Sequence, residues 1–144
     1  MKGSSMMTLD ASALVKLVID EDSSNKIRRI VYKMLSNNEP IIAPSIALHE
    51  SMNVLWVYSV GRRKLSKDKA LIAFDRLLQI WSLMKHADSE DLNEMAMIIA
   101  LDSKLTVYDS LYVAASVLYK SPLLTFDKDM RTKAEHIGVA IVKV

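Results

Sequence analysis

Residues 6–20 read MMTLDASALVKLVID, and this stretch decides the fold. Its first four residues form an apolar run of the length of a short buried strand, and residues 13–20 are typical of a helix. Asp10 lies between the two elements. A strand that passes directly into a helix begins the alternating pattern that produces a parallel sheet.

The rest of the chain repeats this alternation. We predict further strands over residues 40–43, 122–125 and 139–142, and helices over residues 25–36, 45–60, 66–85, 90–103, 109–119 and 127–135. Strands that alternate with helices favour an α/β sandwich, in which a parallel sheet is covered on both faces. Ligands of such sheets bind at the carboxyl ends of the strands, so we expect the functional residues there.

The composition is that of a single globular domain. Hydrophobic residues make up 51% of the 144 residues and charged residues 25%. Cysteine is absent, which excludes disulfides, thiolate metal sites and thiol nucleophiles, and suits a reducing cytoplasm. No apolar run reaches the ~18–20 residues of a membrane span, and the chain starts without a signal-peptide pattern. We therefore expect one cytoplasmic domain over residues 6–144, with residues 1–5 as a disordered or non-native extension.

Positive charge is modest overall but locally clustered. A formal net charge of +2 permits nucleic-acid binding without indicating it. The plainest interpretation of each cluster is a solvated helix face. The clusters are Arg62-Arg63-Lys64 with Lys67 and Lys69, Arg28-Arg29 with Lys33, and Lys128 with Arg131 and Lys133.

Three aspartates stand where predicted helices begin. Asp10 and Asp127 directly follow short apolar strands, and Asp109 follows the segment 105–108. Aspartate is a favoured helix N-cap, worth about 1 kcal/mol, so capping alone explains any one of them. The strand-to-helix positions of an open sheet converge at one edge, however, so the three together favour a shared site.

Glu50 is harder to explain as a structural residue. On a helix over residues 45–60 it falls within an apolar stripe with Ile46, Asn53, Val54 and Val57. A buried carboxylate is costly unless it is paired or lies near a metal ion, so a salt bridge to lysine or arginine remains the alternative. Asn53, one turn along, is placed to hold the Glu50 carboxylate by a hydrogen bond.

Asp10, Glu50, Asp109 and Asp127 would form an acidic cluster at one edge of the sheet. Two carboxylates ~4 Å apart repel by about 1 kcal/mol in water and about 4 kcal/mol at an effective dielectric of 20. Without a cation such a cluster would protonate or splay, and hard oxygen ligands suit Mg²⁺ or Mn²⁺. A metal ion held in this way activates water and neutralises charge on a phosphoryl group.

Other chemistries lack their motifs. The histidines show no zinc-binding spacing, and the sequence contains no phosphate-binding glycine loop and no serine-hydrolase elbow.

Four stretches carry a family resemblance. They are LDASALVK (residues 9–16), PSIALHESMNVLW (44–56), TVYDSLYVAA (106–115) and LLTFDKD (123–129). In this order they resemble the acidic motifs of PIN-domain ribonucleases, in particular the VapC toxins of type II (VapBC) toxin–antitoxin systems. The match spans nearly the whole chain. Two departures are mild: Ser110 stands where alanine is common, and Asp129 adds a carboxylate.

The resemblance implies a three-layer α/β/α sandwich with a small parallel sheet. It also implies endonucleolytic cleavage of RNA by metal-activated water, with Mg²⁺ or Mn²⁺ as cofactor and 5′-phosphate and 3′-hydroxyl ends as products. Asp10 and Asp109 would be the principal metal ligands, and Glu50 and Asp127 would complete the catalytic pocket. Ser12 and Thr125 would orient the carboxylates, although packing or capping explains these two hydroxyls equally well.

The resemblance further implies an RNA substrate, a cognate VapB-type antitoxin whose tail lies across the acidic groove, and a homodimer. Two alternatives remain open. One is a PIN-domain nuclease of RNA processing or decay that has no antitoxin. The other is a non-catalytic interaction module in which the carboxylates only cap helices and pair with basic groups.

Overall fold

A four-stranded parallel sheet forms the centre of the molecule. The computed structural model describes residues 5–144, so the extension predicted over residues 1–5 lies, except for Ser5, outside the described residues. Within this range the strands are β1 (Met7–Leu9), β2 (Ile41–Pro44), β3 (Lys85–Ala87) and β4 (Leu123–Leu124). Their order across the sheet is β3-β2-β1-β4, and all neighbours are parallel.

Helices cover both faces of the sheet. They are α1 (Ala11–Val18), α2 (Ser24–Ser36), α3 (Ile46–Trp56), α4 (Lys67–Ser82), α5 (Glu90–Ser103), α6 (Val107–Tyr119) and α7 (Lys128–His136), and α3 continues into a π-helical turn, Val57–Gly61. Helices α2, α3 and α4 pack around α1. Helices α5 and α7 pack against α6, which lies on β1, β2 and β4. The predicted three-layer α/β/α sandwich is therefore confirmed. Among the described residues no helix is long and apolar enough to cross a membrane.

The register of the central strands brings distant parts of the chain together. All three residues of β1 are buried, as expected of an interior strand of a parallel sheet. Leu9 pairs with Leu124 across β1 and β4, so the residues that follow them, Asp10 and Thr125, become neighbours. Earlier in the same two segments, the buried hydroxyls of Thr8 in β1 and Ser121 before β4 lie 2.6 Å apart and share a hydrogen bond.

Two predicted elements differ from the structure. The helix predicted over residues 66–85 ends at Ser82, and Lys85–Ala87 forms the edge strand β3. Its first two residues are exposed, so no apolar run or clean alternation identified this strand. The strand predicted over residues 139–142 reduces to one bridge between Ile141 and Leu123, because β4 has only two residues to pair with.

Candidate active site

An open cleft of about 470 Å³ lies at the carboxyl ends of the strands. The chain crosses from β1 to β2 and β3 on one side, whereas β4 joins the other side of β1. Open α/β sheets bind ligands at such a reversal of strand order. All four predicted carboxylates line this cleft: Asp10, Glu50, Asp109 and Asp127.

Asp10 is the most deeply placed of the four, with only 3% of its surface exposed. It is the N-cap of α1, and its Oδ1 accepts hydrogen bonds from the Ala13 amide at 2.9 Å and the Ser12 hydroxyl at 2.6 Å. Its Oδ2 accepts from the Thr125 hydroxyl. Burial nevertheless raises the pKa of Asp10 above its usual value, and the negative charge of Asp127 adds to the effect.

The two hydroxyls that hold Asp10 also accept hydrogen bonds from backbone amides of the segment that follows β4. Ser12 Oγ accepts a hydrogen bond from the Phe126 amide at 3.0 Å, and Thr125 Oγ1 accepts one from the Asp127 amide at 3.0 Å. Ser12 and Thr125 therefore contact Asp10 directly and fix its orientation, as the resemblance implied. The predicted convergence of the β1 and β4 ends is confirmed by these contacts.

Asp127 and Asp109 reach the cleft in different ways. Asp127 is exposed and caps α7 by accepting a hydrogen bond from the Met130 amide at 3.0 Å. Asp109 lies inside the first turn of α6, whose N-cap is Thr106. The helix predicted to begin at Asp109 begins two residues earlier, and α5 leads into it through the left-handed residue Lys104. Burial, followed by the charges of Asp127 and Glu50, raises the pKa of Asp109.

Glu50 points into the cleft from α3. The buried residues of this helix are Ala47, Ser51 and Leu55, whereas Ile46, Glu50, Asn53 and Val54 of the predicted stripe line the cleft. Between residues 5 and 144 no lysine or arginine lies within ion-pair distance of Glu50, which removes the salt-bridge alternative for those residues.

Tyr112 is the partner of Glu50 that the sequence did not predict. Its hydroxyl donates a hydrogen bond to Glu50 Oε1, whereas Asn53, which was expected in this role, only lines the cleft. Tyr112 is 1% exposed, and its burial and the bond to Glu50 raise its pKa, so it remains a donor. Its position three residues after Asp109 on one helix was the available signal.

The donor set fits a divalent cation. Among residues 5–144 no three His, Asp or Glu side chains are arranged to enclose one metal ion. The four carboxylates nevertheless share one cleft, and no basic side chain of the described residues is ion-paired with them. Magnesium-like ions keep several waters and need only one or two carboxylates, so a closed ring of protein ligands is not required. Oxygen-only ligands suit hard cations.

The stability of the metal-free protein should depend on these carboxylates. The pKa values of Asp10 and Asp109 are raised above 3.8 in the folded state. Between the unfolded-state and folded-state pKa values, the folded chain therefore binds more protons than the unfolded chain. Their contribution is greatest below pH ~4 and is lost as pH rises through the raised pKa values. Denaturation in EDTA at a series of pH values across this range should therefore show a smaller loss of the free energy of unfolding for Asp10→Asn than for wild type. Identical pH dependence would contradict the assignment.

Comparison with known proteins agrees with this geometry. The sequence model of the PIN domain matches residues 7–136. The chain belongs to the PIN-domain family. It is 30% identical over 128 residues to ribonuclease VapC3 of Pyrobaculum aerophilum, an alignment that covers 88% of this chain and 93% of that protein. Nucleases with a PIN domain generally depend on divalent metal ions, in agreement with the acidic cleft described above.

Solved structures share the PIN fold at lower identity. FitAcB of Neisseria gonorrhoeae has a TM-score of 0.70 and 16% identity, covering 96% of this chain and 97% of that chain. VapBC2 of Rickettsia felis, bound to a DNA fragment from their promoter, has a TM-score of 0.63 and 18% identity, covering 96% and 97%. The predicted family and fold are thus confirmed.

Proposed function

We propose that this PIN-domain protein is a metal-dependent endoribonuclease and the toxin of a VapBC-type toxin–antitoxin pair. The observation that carries the proposal is the convergence of Asp10, Glu50, Asp109 and Asp127 in one cleft without basic partners among the described residues. The similarity of the protein to a VapC ribonuclease over most of both chains supports RNA as the substrate.

Asp10 and Asp109 would bind the metal ion, which we take to be Mg²⁺ or Mn²⁺. Asp10 is held by three hydrogen bonds, so its carboxylate is oriented before any ligand arrives. Glu50, fixed by Tyr112, and Asp127, fixed as a helix cap, would orient water molecules around the metal. When bound, the cation supplies activation of water and neutralisation of charge on the phosphodiester.

The acidic cleft also indicates which side chains an inhibiting protein partner would use. The Rickettsia felis relative is named as a VapBC2 pair, which supports a cognate VapB-type antitoxin for this chain. An arginine of that partner would pair well with the unpaired carboxylates, because guanidinium binds carboxylate in a planar, bidentate manner. A cytoplasmic location follows from this proposed role, and homodimerisation stays a prediction.

Cleavage of RNA by the purified protein tests the proposal. We expect Mg²⁺ or Mn²⁺ to support cleavage of structured RNAs such as tRNA, EDTA to abolish it, and the products to carry 5′-phosphates that a ligase accepts. Absence of cleavage, together with no change of melting temperature on addition of either metal, would favour the non-catalytic module. Cleavage that no co-expressed product of a neighbouring reading frame suppresses would favour a nuclease of RNA processing.

A further inference from the structure

A second groove, of about 740 Å³, lies between the end of α1, the π-helical turn and α4. Four exposed basic side chains line it, and we call it the basic groove. They are Arg62, Lys64, Lys69 and Arg76. Apolar residues such as Leu65 and Ala73 line the same groove. The surface is therefore concave, positively charged and separate from the acidic cleft.

The positive charge of the basic groove is not neutralised locally. Its two acidic residues have partners other than the four basic side chains. Asp20 pairs with Arg28 at 2.9 Å, and Glu21 accepts a hydrogen bond from the Tyr58 hydroxyl at 2.7 Å and lies 3.8 Å from the Lys16 ammonium. Within the described part of the chain, no carboxylate lies within 4.0 Å of the four basic groups. The Arg62 guanidinium lies 5.1 Å from the Tyr58 ring centre. This cation–π contact does not neutralise the positive charge of Arg62.

The other two basic clusters of the sequence are used differently. Arg28 donates hydrogen bonds to the carbonyls of Leu17 at 3.0 Å and Ile19 at 2.9 Å, which stabilise the end of α1. Lys133 forms an ion pair with Asp129 at 3.1 Å. Arg131 of the third cluster also lines a groove, but as the only member of its cluster there, whereas the cluster around Arg62 places Arg62, Lys64 and Lys69 in one groove without ion pairs among the described residues.

Helix α3 and the π-helical turn that continues it connect the acidic cleft to the basic groove, although no residue lines both. Glu50 lines the cleft and Tyr58 lines the basic groove, and a separation of eight positions corresponds to roughly 12 Å along the helix axis. On α1, the Lys16 ammonium lies 4.7 Å from the ring centre of Phe126, whose amide donates to Ser12 in the cleft. A chain molecule that follows α3 out of the cleft therefore meets the basic groove roughly 12 Å from Glu50.

We propose that the basic groove binds the phosphate backbone of the RNA strand whose scissile bond lies in the acidic cleft. The inference rests on the proposed ribonuclease function and deepens it. An acidic cleft repels a polyanion everywhere except at the bound metal, so the binding free energy must come from positive charge nearby. Lysine and arginine provide it by releasing the counterions condensed on the phosphates. A flexible single strand suits a groove of exposed, mobile cations.

The salt dependence of RNA binding tests this assignment. The groove variant Lys64→Gln/Lys69→Gln/Arg76→Gln is compared with Lys26→Gln/Arg29→Gln/Lys33→Gln on α2, which removes the same charge from exposed positions outside the groove. Arg62 is kept because it packs on Tyr58. All proteins carry Asp10→Asn, and the probe is a fluorescein-labelled single-stranded RNA at constant Mg²⁺, followed by anisotropy.

We expect the slope of log association constant against log salt to fall by about two in the groove variant, at ~0.7 per phosphate contact on a single strand. A fourfold rise in salt should then weaken the parent about 20-fold more than the groove variant. The α2 variant should keep the parental slope. Circular dichroism and melting temperatures establish that all three proteins are folded.

Three results would overturn the assignment. Equal slopes for the groove and α2 variants, with metal-dependent RNA cleavage by wild type, would reject the groove and leave the ribonuclease intact. A groove variant with the parental slope but a weakened antitoxin complex would assign the groove to the protein partner. Finally, failure of the Asp10→Asn parent to bind RNA, together with failure of the wild-type protein to cleave it, would reject both the groove and the proposed function.

Discussion

Asp10→Asn should reduce kcat/KM for RNA cleavage by about three orders of magnitude, a loss of ~4 kcal/mol of transition-state stabilisation. Asparagine has the same shape and keeps an oxygen that accepts from Ser12 and Ala13, so the α1 cap survives. What disappears is the negative charge at the deepest point of the cleft. The loss should therefore appear in metal binding and in turnover, measured with labelled RNA under saturating Mg²⁺ and across a metal titration.

Asp102→Asn provides the matched control, because Asp102 is exposed on α5 and lies outside the acidic cleft. This control should cleave at the wild-type rate. The Asp10 variant should also be at least as stable as metal-free wild type near neutral pH, since it no longer buries a carboxylate whose pKa is raised. A folded Asp10 variant that retains a tenth or more of the activity would contradict its role as a metal ligand.

Tyr112→Phe should lower the cleavage rate by roughly 10- to 100-fold, the usual effect of losing a group that orients a metal-site side chain. The substitution removes only the hydroxyl that holds Glu50, and the buried ring still packs in the core. Without this donor the Glu50 carboxylate is free to turn away from the cleft. We therefore expect the apparent metal affinity to fall together with the rate.

Tyr119→Phe is the corresponding control two turns further along α6. The Tyr119 ring lies 5.0 Å from the Lys85 ammonium, a contact that phenylalanine retains, and it does not line the cleft. If Tyr112→Phe lowered the melting temperature but left the metal titration and the rate at control values, Tyr112 would be a packing residue and its positioning role would be excluded.

The architecture was predictable because its strongest signals are local. An apolar run followed directly by an amphipathic helix identifies β1 and α1, and the same pattern recurs at β4 and α7. Strand β3 was not predictable in this way. Its exposed Lys85 and His86 form the sheet edge, and pairing with β2 determines its conformation. Local propensity carries little information about an edge strand whose side chains face solvent.

The acidic cleft was predictable in its carboxylates but not in their partners. Asp10 and Asp127 occupy helix caps, a position that sequence identifies. Glu50 was selected for a face of α3 that proves to border the cleft, and Asn53 was assigned a bond that Tyr112 makes. That bond joins two helices 62 positions apart in sequence. Its existence depends on how α3 and α6 pack across the sheet, which helical periodicity does not specify.

The hydrogen bond between Thr125 and Asp10 has a consequence for how the protein becomes active. It joins residues 115 positions apart, and the Phe126–Ser12 bond spans 114. Contacts of such sequence separation form late in folding, because a long loop must close before they stabilise anything. A partly folded or partly synthesised chain therefore has Asp10 without the partners that orient it. Catalytic competence marks completion of the native state, and a refolding experiment should recover turnover with the slowest structural phase.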